Sequence, residues 1–303
     1  MSVILLIAPL LLMQVGPNPV GADTLVLPEE LRNRPERPAD AADPLGLNNP
    51  TARWLATCLT QMETDAARAH SQAQIKLTQA LGEERIAANH CLGLAATELG
   101  LWDDARTAFL AAREGTPAND LRTKARFGAM AGNAALGGGD AAGALALLVQ
   151  AAQDASASAS TALQVITAMD QARALVALGR GEEALAPLDT ATTLAPEDSE
   201  GWLLKATLLR RLGRLGDAQA AIERAVALAP QDGDIGLEAG VIAVLSGRDD
   251  AARTSWQSVI DIAPETPAAQ TARGYLDQIG AQVSAAATAA NRAPVTDEGN
   301  PQP

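Results

Sequence analysis

Histidine and cysteine, the side chains that most often act as metal ligands or nucleophiles, are rare in this sequence. Its 303 residues contain two of each, namely His70, His90, Cys58 and Cys91. His90 and Cys91 are neighbours within one predicted helix, so their side chains point to different sides and form a poor ligand pair. The sequence has no His-Glu-x-x-His, Cys-x-x-Cys, Walker loop or nucleophile elbow. It therefore predicts no metal, no cofactor and no enzymatic activity; the alternative is an enzyme whose site is assembled from distant residues without a recognisable motif.

The charge of the chain limits the classes of partner. The formal net charge is −13, and no cluster of lysine and arginine is interleaved with aromatic residues. Nucleic acid is therefore excluded as an expected partner, because binding to phosphates requires a basic surface. The same acidity favours solubility and disfavours docking on anionic lipid, so we expect no membrane contact beyond an N-terminal segment.

The elements that would position any site are revealed by a repeat with a period of 34 residues. Glycine, alanine and proline each recur three times at this step, as Gly179, Gly213 and Gly247; Ala184, Ala218 and Ala252; and Pro196, Pro230 and Pro264. A constant period in the mid-thirties is typical of stacked helical hairpins. Within residues 199–232, apolar residues at helical spacing predict one helix before Gly213 and a second helix that ends before Pro230.

This period resembles the tetratricopeptide repeat family. The family places an aromatic residue early in the first helix, here Trp202, and a small residue four positions later, here Ala206. An alanine then opens the second helix (Ala218), a bulky residue follows (Ile222), and a proline ends it (Pro230). The resemblance implies an all-α fold, a right-handed superhelical solenoid of antiparallel helix pairs that binds proteins or peptides. We also expect Trp202 to be largely buried between its own two helices.

The rest of the chain is divided by composition and by the repeat. The predicted segments are a signal peptide at 1–22, a proline-rich linker at 23–50, a helical array at 51–280 and a disordered tail at 281–303. Within the array, the clear repeats are 86–119, 165–198, 199–232 and 233–266, and the degenerate repeats are 51–85 and 120–164. A capping helix is predicted at 267–280. Thr51 is the expected N-cap of the first helix.

The degenerate repeat at 120–164 breaks the period. Ala144 is the counterpart of Ala105 and Ala184, but it lies 39 residues after the first and 40 before the second. We assign the extra residues to the glycines at 137–139 and to the alanine and serine run at 155–160. They predict either an ordinary loop insertion or a hinge between two halves of the array.

The N-terminal segment indicates where the protein is located. Val3 to Val15 is almost entirely apolar, too short to span a bilayer, and small residues follow at Val20-Gly21-Ala22. We interpret it as a secretory signal peptide and expect a periplasmic or otherwise exported protein. The alternative is a protein anchored by this segment without cleavage.

The two cysteines are predicted to lie on neighbouring first helices. Cys58 and Cys91 are about one period apart, on the first helices of adjacent hairpins, which pack side by side. An even number of cysteines in an oxidising compartment favours a disulfide bond. Two buried thiols at equivalent positions are the alternative, since such positions can be too far apart for a bond.

In the tetratricopeptide family the first helices line the concave side of the array, and this suggests a binding surface. Apolar residues recur there at 34-residue steps, and three arginines lie at its edge. The predicted partner-binding groove consists of Met169, Arg173, Leu203, Thr207, Arg210, Arg211, Leu237, Val241 and Leu245. Such a strip could bind an extended or helical peptide that carries acidic groups.

Together these features predict a non-enzymatic scaffold that binds a protein or peptide partner in the cell envelope. The first alternative is a structural or assembly subunit of a larger envelope complex, and the second is an enzyme without a recognisable motif. The sequence does not identify the partner, the cellular process or the oligomeric state.

Overall fold

The structure is a computed structural model that describes the backbone of residues 49–292 and the side chains of residues 49–281. This part of the chain contains thirteen α-helices and no β-strand. In chain order the helices are α1 (Pro50–Thr64), α2 (Ala66–Leu77), α3 (Gly82–Glu98), α4 (Trp102–Gly115), α5 (Leu121–Gly137), α6 (Ala141–Ala157), α7 (Thr161–Ala177), α8 (Leu185–Leu194), α9 (Ser199–Arg211), α10 (Leu215–Leu228), α11 (Gly233–Leu245), α12 (Asp249–Ile262) and α13 (Pro267–Arg292).

Each helix packs against the next helix in the chain, and short turns make consecutive helices antiparallel. The odd-numbered helices are the first helices of the pairs and the even-numbered helices are the second. First helices also contact one another directly, at α1–α3, α5–α7, α9–α11 and α11–α13. The predicted all-α solenoid of helix pairs is confirmed.

The periodic glycines end the first helices. Gly179, Gly213 and Gly247 have φ angles of +74°, +74° and +71°, in the left-handed region that side chains with a Cβ rarely adopt. At the second of these turns the N–H of Arg214 donates to the carbonyl oxygen of Leu209 (N···O 2.9 Å), as in a Schellman motif. The turn therefore caps one helix and reverses the chain into the next.

In the five helix pairs from α3 to α12, the core is built from a small residue on the first helix and a large one on the second. At Gly93 an added Cβ would lie 2.5 Å from the Phe109 ring, and at Gly240 it would overlap the Trp256 indole. The small residue allows the two helices to approach closely, and the large side chain fills the space. The small–large pairs are Gly93–Phe109, Gly132–Leu148, Ala172–Leu188, Ala206–Ile222 and Gly240–Trp256.

The extra residues of the irregular repeat lengthen its helices rather than its turns, so a loop insertion does not describe them. The helices α5, α6 and α7 each have 17 residues, whereas α9 has 13 and α10 has 14. The turns at 138–140 and 158–160 have three residues each. The alanine and serine run was assigned to a loop because of its serines, but alanine favours the helix and α6 continues to Ala157.

Both ends of the array differ from the predicted boundaries. The N-cap of α1 is Asn49 rather than Thr51: the Asn49 side chain accepts a hydrogen bond from the Thr51 N–H (2.9 Å). Pro50 is the first helical residue, where its missing N–H costs nothing. The capping helix α13 continues past the predicted end at residue 280, to Arg292.

Several predictions fall outside the described residues. These are the signal peptide at 1–22, the linker at 23–50 except its last two residues, and the tail beyond Arg292. Within residues 49–292, none of the helices combines the length and the hydropathy needed to cross a bilayer.

Candidate functional site

Four residues of the predicted groove meet at a cavity between α7 and α9. Met169 and Arg173 lie one turn apart on α7, and Thr207 and Arg211 lie one turn apart on α9, so each pair shares one face of its helix. The cavity has a volume of about 200 Å³. We call it the α7–α9 pocket; its other lining residues are Ala172, Val176, Leu188, Leu204 and Leu208.

The apolar lining of the pocket belongs to the core of the array. Met169, Leu188 and Leu208 are all buried, and they join one hydrophobic cluster formed by α7, α8 and α9. Because these side chains are packed into the core, they form the floor of the pocket. Thr207 and Arg173 lie further out and are half-buried.

Arg173 is held by two carboxylates. Its guanidinium donates to Asp170 (Nη1···Oδ1 2.7 Å) and pairs with Glu200 at the start of α9. Asp170 is only 3% exposed and also accepts a hydrogen bond from the Asn133 side chain of α5 (2.9 Å). Burial raises the pKa of the Asp170 carboxyl, and the hydrogen bond from Asn133 and the charge of Arg173 oppose that rise. The network positions Arg173 at the rim of the pocket and neutralises its charge.

Arg211 has no such compensation. It is exposed in the last turn of α9, and among the described residues no carboxylate pairs with it. The lining of the pocket contains two arginines and no acidic residue, although the chain as a whole carries a net charge of −13. Since Arg173 is already paired with Asp170 and Glu200, Arg211 supplies the uncompensated positive charge at the rim.

The structure does not bring the other five predicted groove residues to this pocket. Arg210 forms a two-point ion pair with Glu238 of α11 (Nε···Oε1 2.6 Å, Nη2···Oε2 3.3 Å) and ties α9 to α11. Of the apolar residues, Leu245 is 53% exposed. The remaining three are half-buried and pack against core clusters: Leu203, Leu237 and Val241.

The sequence reasoning missed two kinds of residue at the site. Val176 and Leu204 line the pocket, but Val176 lies three residues after Arg173 and Leu204 lies one residue after Leu203, so neither was selected by the 34-residue step. The buried carboxylate Asp170 was also missed. Its three-residue spacing from Arg173 on one helix face is a signal that could have indicated the ion pair.

Trp202 is not the buried core residue that was expected. It is half-buried and lines a separate cavity of about 530 Å³, and its indole N–H donates to the carbonyl oxygen of Pro196 (2.9 Å). The cations of Lys205 and Arg224 lie 5.3 and 5.8 Å from the ring centre. Ile222 is instead the large buried side chain of the second helix in this pair, and Trp202 packs against the outside of the cluster that contains Ile222 and Ala206.

The two cysteines are joined by a disulfide bond in the structure. Cys58 on α1 and Cys91 on α3 have Cα atoms 6.3 Å apart, within the usual range for a bridge. Both side chains are buried, in a cluster of small residues that includes Ala69, Ala73 and Ala95. The bond connects the first helices of the first two pairs.

His90 is a buried residue of α3 in contact with an aromatic ring. Its ring contacts Phe127 edge-on (5.2 Å between ring centres), and burial together with the nearby charge of Arg126 lowers its pKa to about 4. Among the described residues, no three histidine, cysteine, aspartate or glutamate side chains are grouped so that they could hold a metal ion.

The comparison with protein families gives a match to the tetratricopeptide repeat. Two overlapping copies of the family pattern match, at residues 169–233 and 203–269. These residues include α9 to α12 and both arginines of the pocket rim. Among curated proteins, no sequence matches this chain significantly.

Solved structures of low sequence identity share the fold. The structure of PilF from Pseudomonas aeruginosa has 13% identity and a TM-score of 0.58, covering 76% of this chain and 99% of that one. Residues 41 to the end of MamA from Desulfovibrio magneticus RS-1 have 14% identity and a TM-score of 0.50, covering 62% and 99%. Residues 169–269 of this chain therefore match the tetratricopeptide repeat, and the described helices share the helix-pair fold of these solved structures.

Proposed function

We propose that this protein is a non-enzymatic scaffold of the cell envelope that binds a peptide segment of a partner protein at the α7–α9 pocket. Tetratricopeptide repeats form protein–protein interaction scaffolds, and residues 169–269 of this chain match that repeat. The position of the pocket is the observation that supports this proposal: Met169, Arg173, Thr207 and Arg211 converge there from two first helices.

The proposed location is supported by the sequence of the first 22 residues. The apolar run from Val3 to Val15 and the small residues at 20–22 are typical of a cleaved export signal. Protein purified from the native host should then begin at Asp23. An intact Met1 on protein from a soluble cytoplasmic fraction would contradict export.

The binding site can be tested by placing a photo-activated cross-linking residue at Thr207 and, as a matched control, at Thr190. Thr207 lines the pocket, whereas Thr190 is an exposed threonine of α8 that is not among the lining residues. We expect cross-linking in the native host to give a product of defined mass from position 207 and none from position 190.

The mass of the product separates the proposal from its main rival. A product formed with a different protein at position 207 supports a partner-binding site. A product with the mass of two copies of this chain would instead favour a structural or assembly role. Equal labelling at positions 207 and 190 would show that the pocket is not the binding site.

A further inference from the structure

We infer that the bound segment carries an aliphatic side chain, which enters the α7–α9 pocket, and a neighbouring carboxylate, which pairs with Arg211. This inference rests on the proposed function and specifies the chemistry of the partner. It also assigns different roles to the three arginines that the sequence places at the edge of the groove.

The size of the pocket fits one side chain. Its volume of about 200 Å³ is below the roughly 300–1,000 Å³ of sites that enclose a small-molecule ligand. An aliphatic side chain inserted from a peptide would contact Met169, Leu188 and Leu204 on the floor and walls. Burial of that side chain would supply the apolar part of the affinity.

The charged residues around the pocket indicate which group of the ligand should lie beside its aliphatic side chain. Arg173 is already paired with Asp170 and Glu200, and Arg210 is already paired with Glu238. A ligand carboxylate would have to compete with these internal partners for either guanidinium. Arg211 has no carboxylate partner among the described residues, so it is free to form a charge-assisted hydrogen bond with the ligand.

Arg211 also has a structural role, which the test must separate from binding. A cation in the last turn of a helix interacts favourably with the unpaired carbonyl groups there. Because that interaction is local and exposed, Arg211→Gln should leave the melting temperature almost unchanged. Arg122→Gln is a matched control, since Arg122 is an exposed arginine at the other end of a different first helix, α5.

The experiment is a selection from a random 12-residue peptide library displayed on phage, run in parallel against the wild-type protein and three variants. The variants are Arg211→Gln, Arg122→Gln and Thr207→Glu, the last of which places a carboxylate in the pocket. Wild type and Arg122→Gln should enrich peptides with Asp or Glu within two positions of Leu, Ile or Met. Such enrichment must be specific, because the net charge of −13 repels acidic peptides.

The variants that alter the pocket should change the selected peptides in different ways. Arg211→Gln should retain the aliphatic enrichment and lose the acidic enrichment, and Thr207→Glu should lose both. For the best peptide, replacing its acidic residue by the amide should weaken binding to wild type about tenfold, and should have no effect with Arg211→Gln. Acidic enrichment that persists in Arg211→Gln would overturn the assignment of Arg211.

Two other outcomes distinguish this inference from the proposed function. Aliphatic enrichment that is lost in Thr207→Glu but includes no acidic residue would overturn the inference and leave the pocket as a binding site. Identical peptide pools from wild type and Thr207→Glu would overturn both. Selection that succeeds only after residues 293–303 are deleted would assign the pocket to the chain's own Val295-Thr296-Asp297-Glu298 segment and overturn binding of a partner.

Discussion

The two halves of the array differ in the length of their first helices. In the N-terminal half α3 and α5 have 17 residues each, and so does α7 at the junction, whereas α9 and α11 have 13 each. The small and large core residues stay 16 residues apart, as in Gly93–Phe109, Gly132–Leu148 and Gly240–Trp256, so the extra residues lengthen the step between successive repeats. A repeat can therefore keep its packing while losing its period, and the family pattern matches only from residue 169 onward.

The two halves also differ in how neighbouring first helices are connected. In the N-terminal half the disulfide between Cys58 and Cys91 connects α1 to α3. In the C-terminal half ion pairs do so: Arg173 with Glu200 connects α7 to α9, and Arg210 with Glu238 connects α9 to α11. We therefore expect reductant to destabilise the first half only, and the buried His90 of α3 adds a response to acid there.

The largest effect should come from Trp256 in the core of the C-terminal half. Its side chain is 3% exposed, lies against Gly240 and contacts the Tyr275 ring of α13 (4.9 Å between ring centres). Trp256→Ala should reduce the free energy of unfolding by about 3–5 kcal/mol, because it removes a large buried side chain and leaves a cavity. Denaturant unfolding followed by circular dichroism measures the change.

Trp202→Ala is the matched comparison within the same half. Trp202 is half-buried and its indole faces Lys205 and Arg224, so we expect a loss of about 1–2 kcal/mol. Equal losses for the two tryptophans would show that Trp202 contributes to the core as its sequence position suggests. A smaller loss for Trp256 than for Trp202 would contradict the packing described for α11, α12 and α13.

The fold could be predicted from the sequence because its signals are local and repeated. Gly213 and Pro230 mark the ends of helices by their backbone restrictions, and Ala206 with Ile222 reports the contact between the two helices of a pair. The position of Trp202 could not be predicted in this way. Trp202 and Ile222 are both large apolar side chains of one helix pair, and a repeat pattern does not show which of them is buried.

The candidate site was predicted only in part, for a physical reason. The 34-residue step identifies the equivalent positions of successive first helices, and it correctly placed Thr207 and Arg211 beside Met169 and Arg173. It does not show which charges are already paired. The partners of Arg173 are Asp170 on the same helix and Glu200 on α9, and the second contact depends on how α7 and α9 pack.

The second prediction concerns the disulfide of the N-terminal half. Reduction should remove about 3–4 kcal/mol of stability from the first two helix pairs, since the bond closes a loop with a sequence separation of 33 residues. Because a repeat contacts only its neighbours, hydrogen exchange should accelerate in α1 to α3 and stay unchanged in α10 to α12. Uniform acceleration along the whole array would contradict the difference between the halves.

A double variant, Cys58→Ala with Cys91→Ala, is the control for this experiment. Its exchange rates should not change on addition of reductant. Titration of thiols in denatured, unreduced wild-type protein checks the bond itself, and two free thiols per chain would show that the bond does not form.

The last prediction concerns acid and His90. The folded state holds the His90 pKa at about 4, below its ordinary value of 6.5, so at pH 5 the unfolded chain binds a proton that the folded chain does not. Stability therefore decreases as the pH falls through 6.5 and toward 4. Between pH 7 and pH 5 the loss from His90 should be about 2 kcal/mol.

The raised pKa of Asp170 acts in the opposite direction, so the raw pH dependence of stability mixes the two groups. The folded state binds a proton at Asp170 more readily than the unfolded chain does, and acidification therefore favours folding at that site. His90→Gln removes only the histidine contribution and leaves Asp170 unchanged. The difference between wild type and His90→Gln, measured by denaturant unfolding at pH 7 and pH 5, isolates the effect of His90. If both proteins lose the same stability over this range, His90 is not held neutral by burial, and acid sensitivity does not distinguish the N-terminal half.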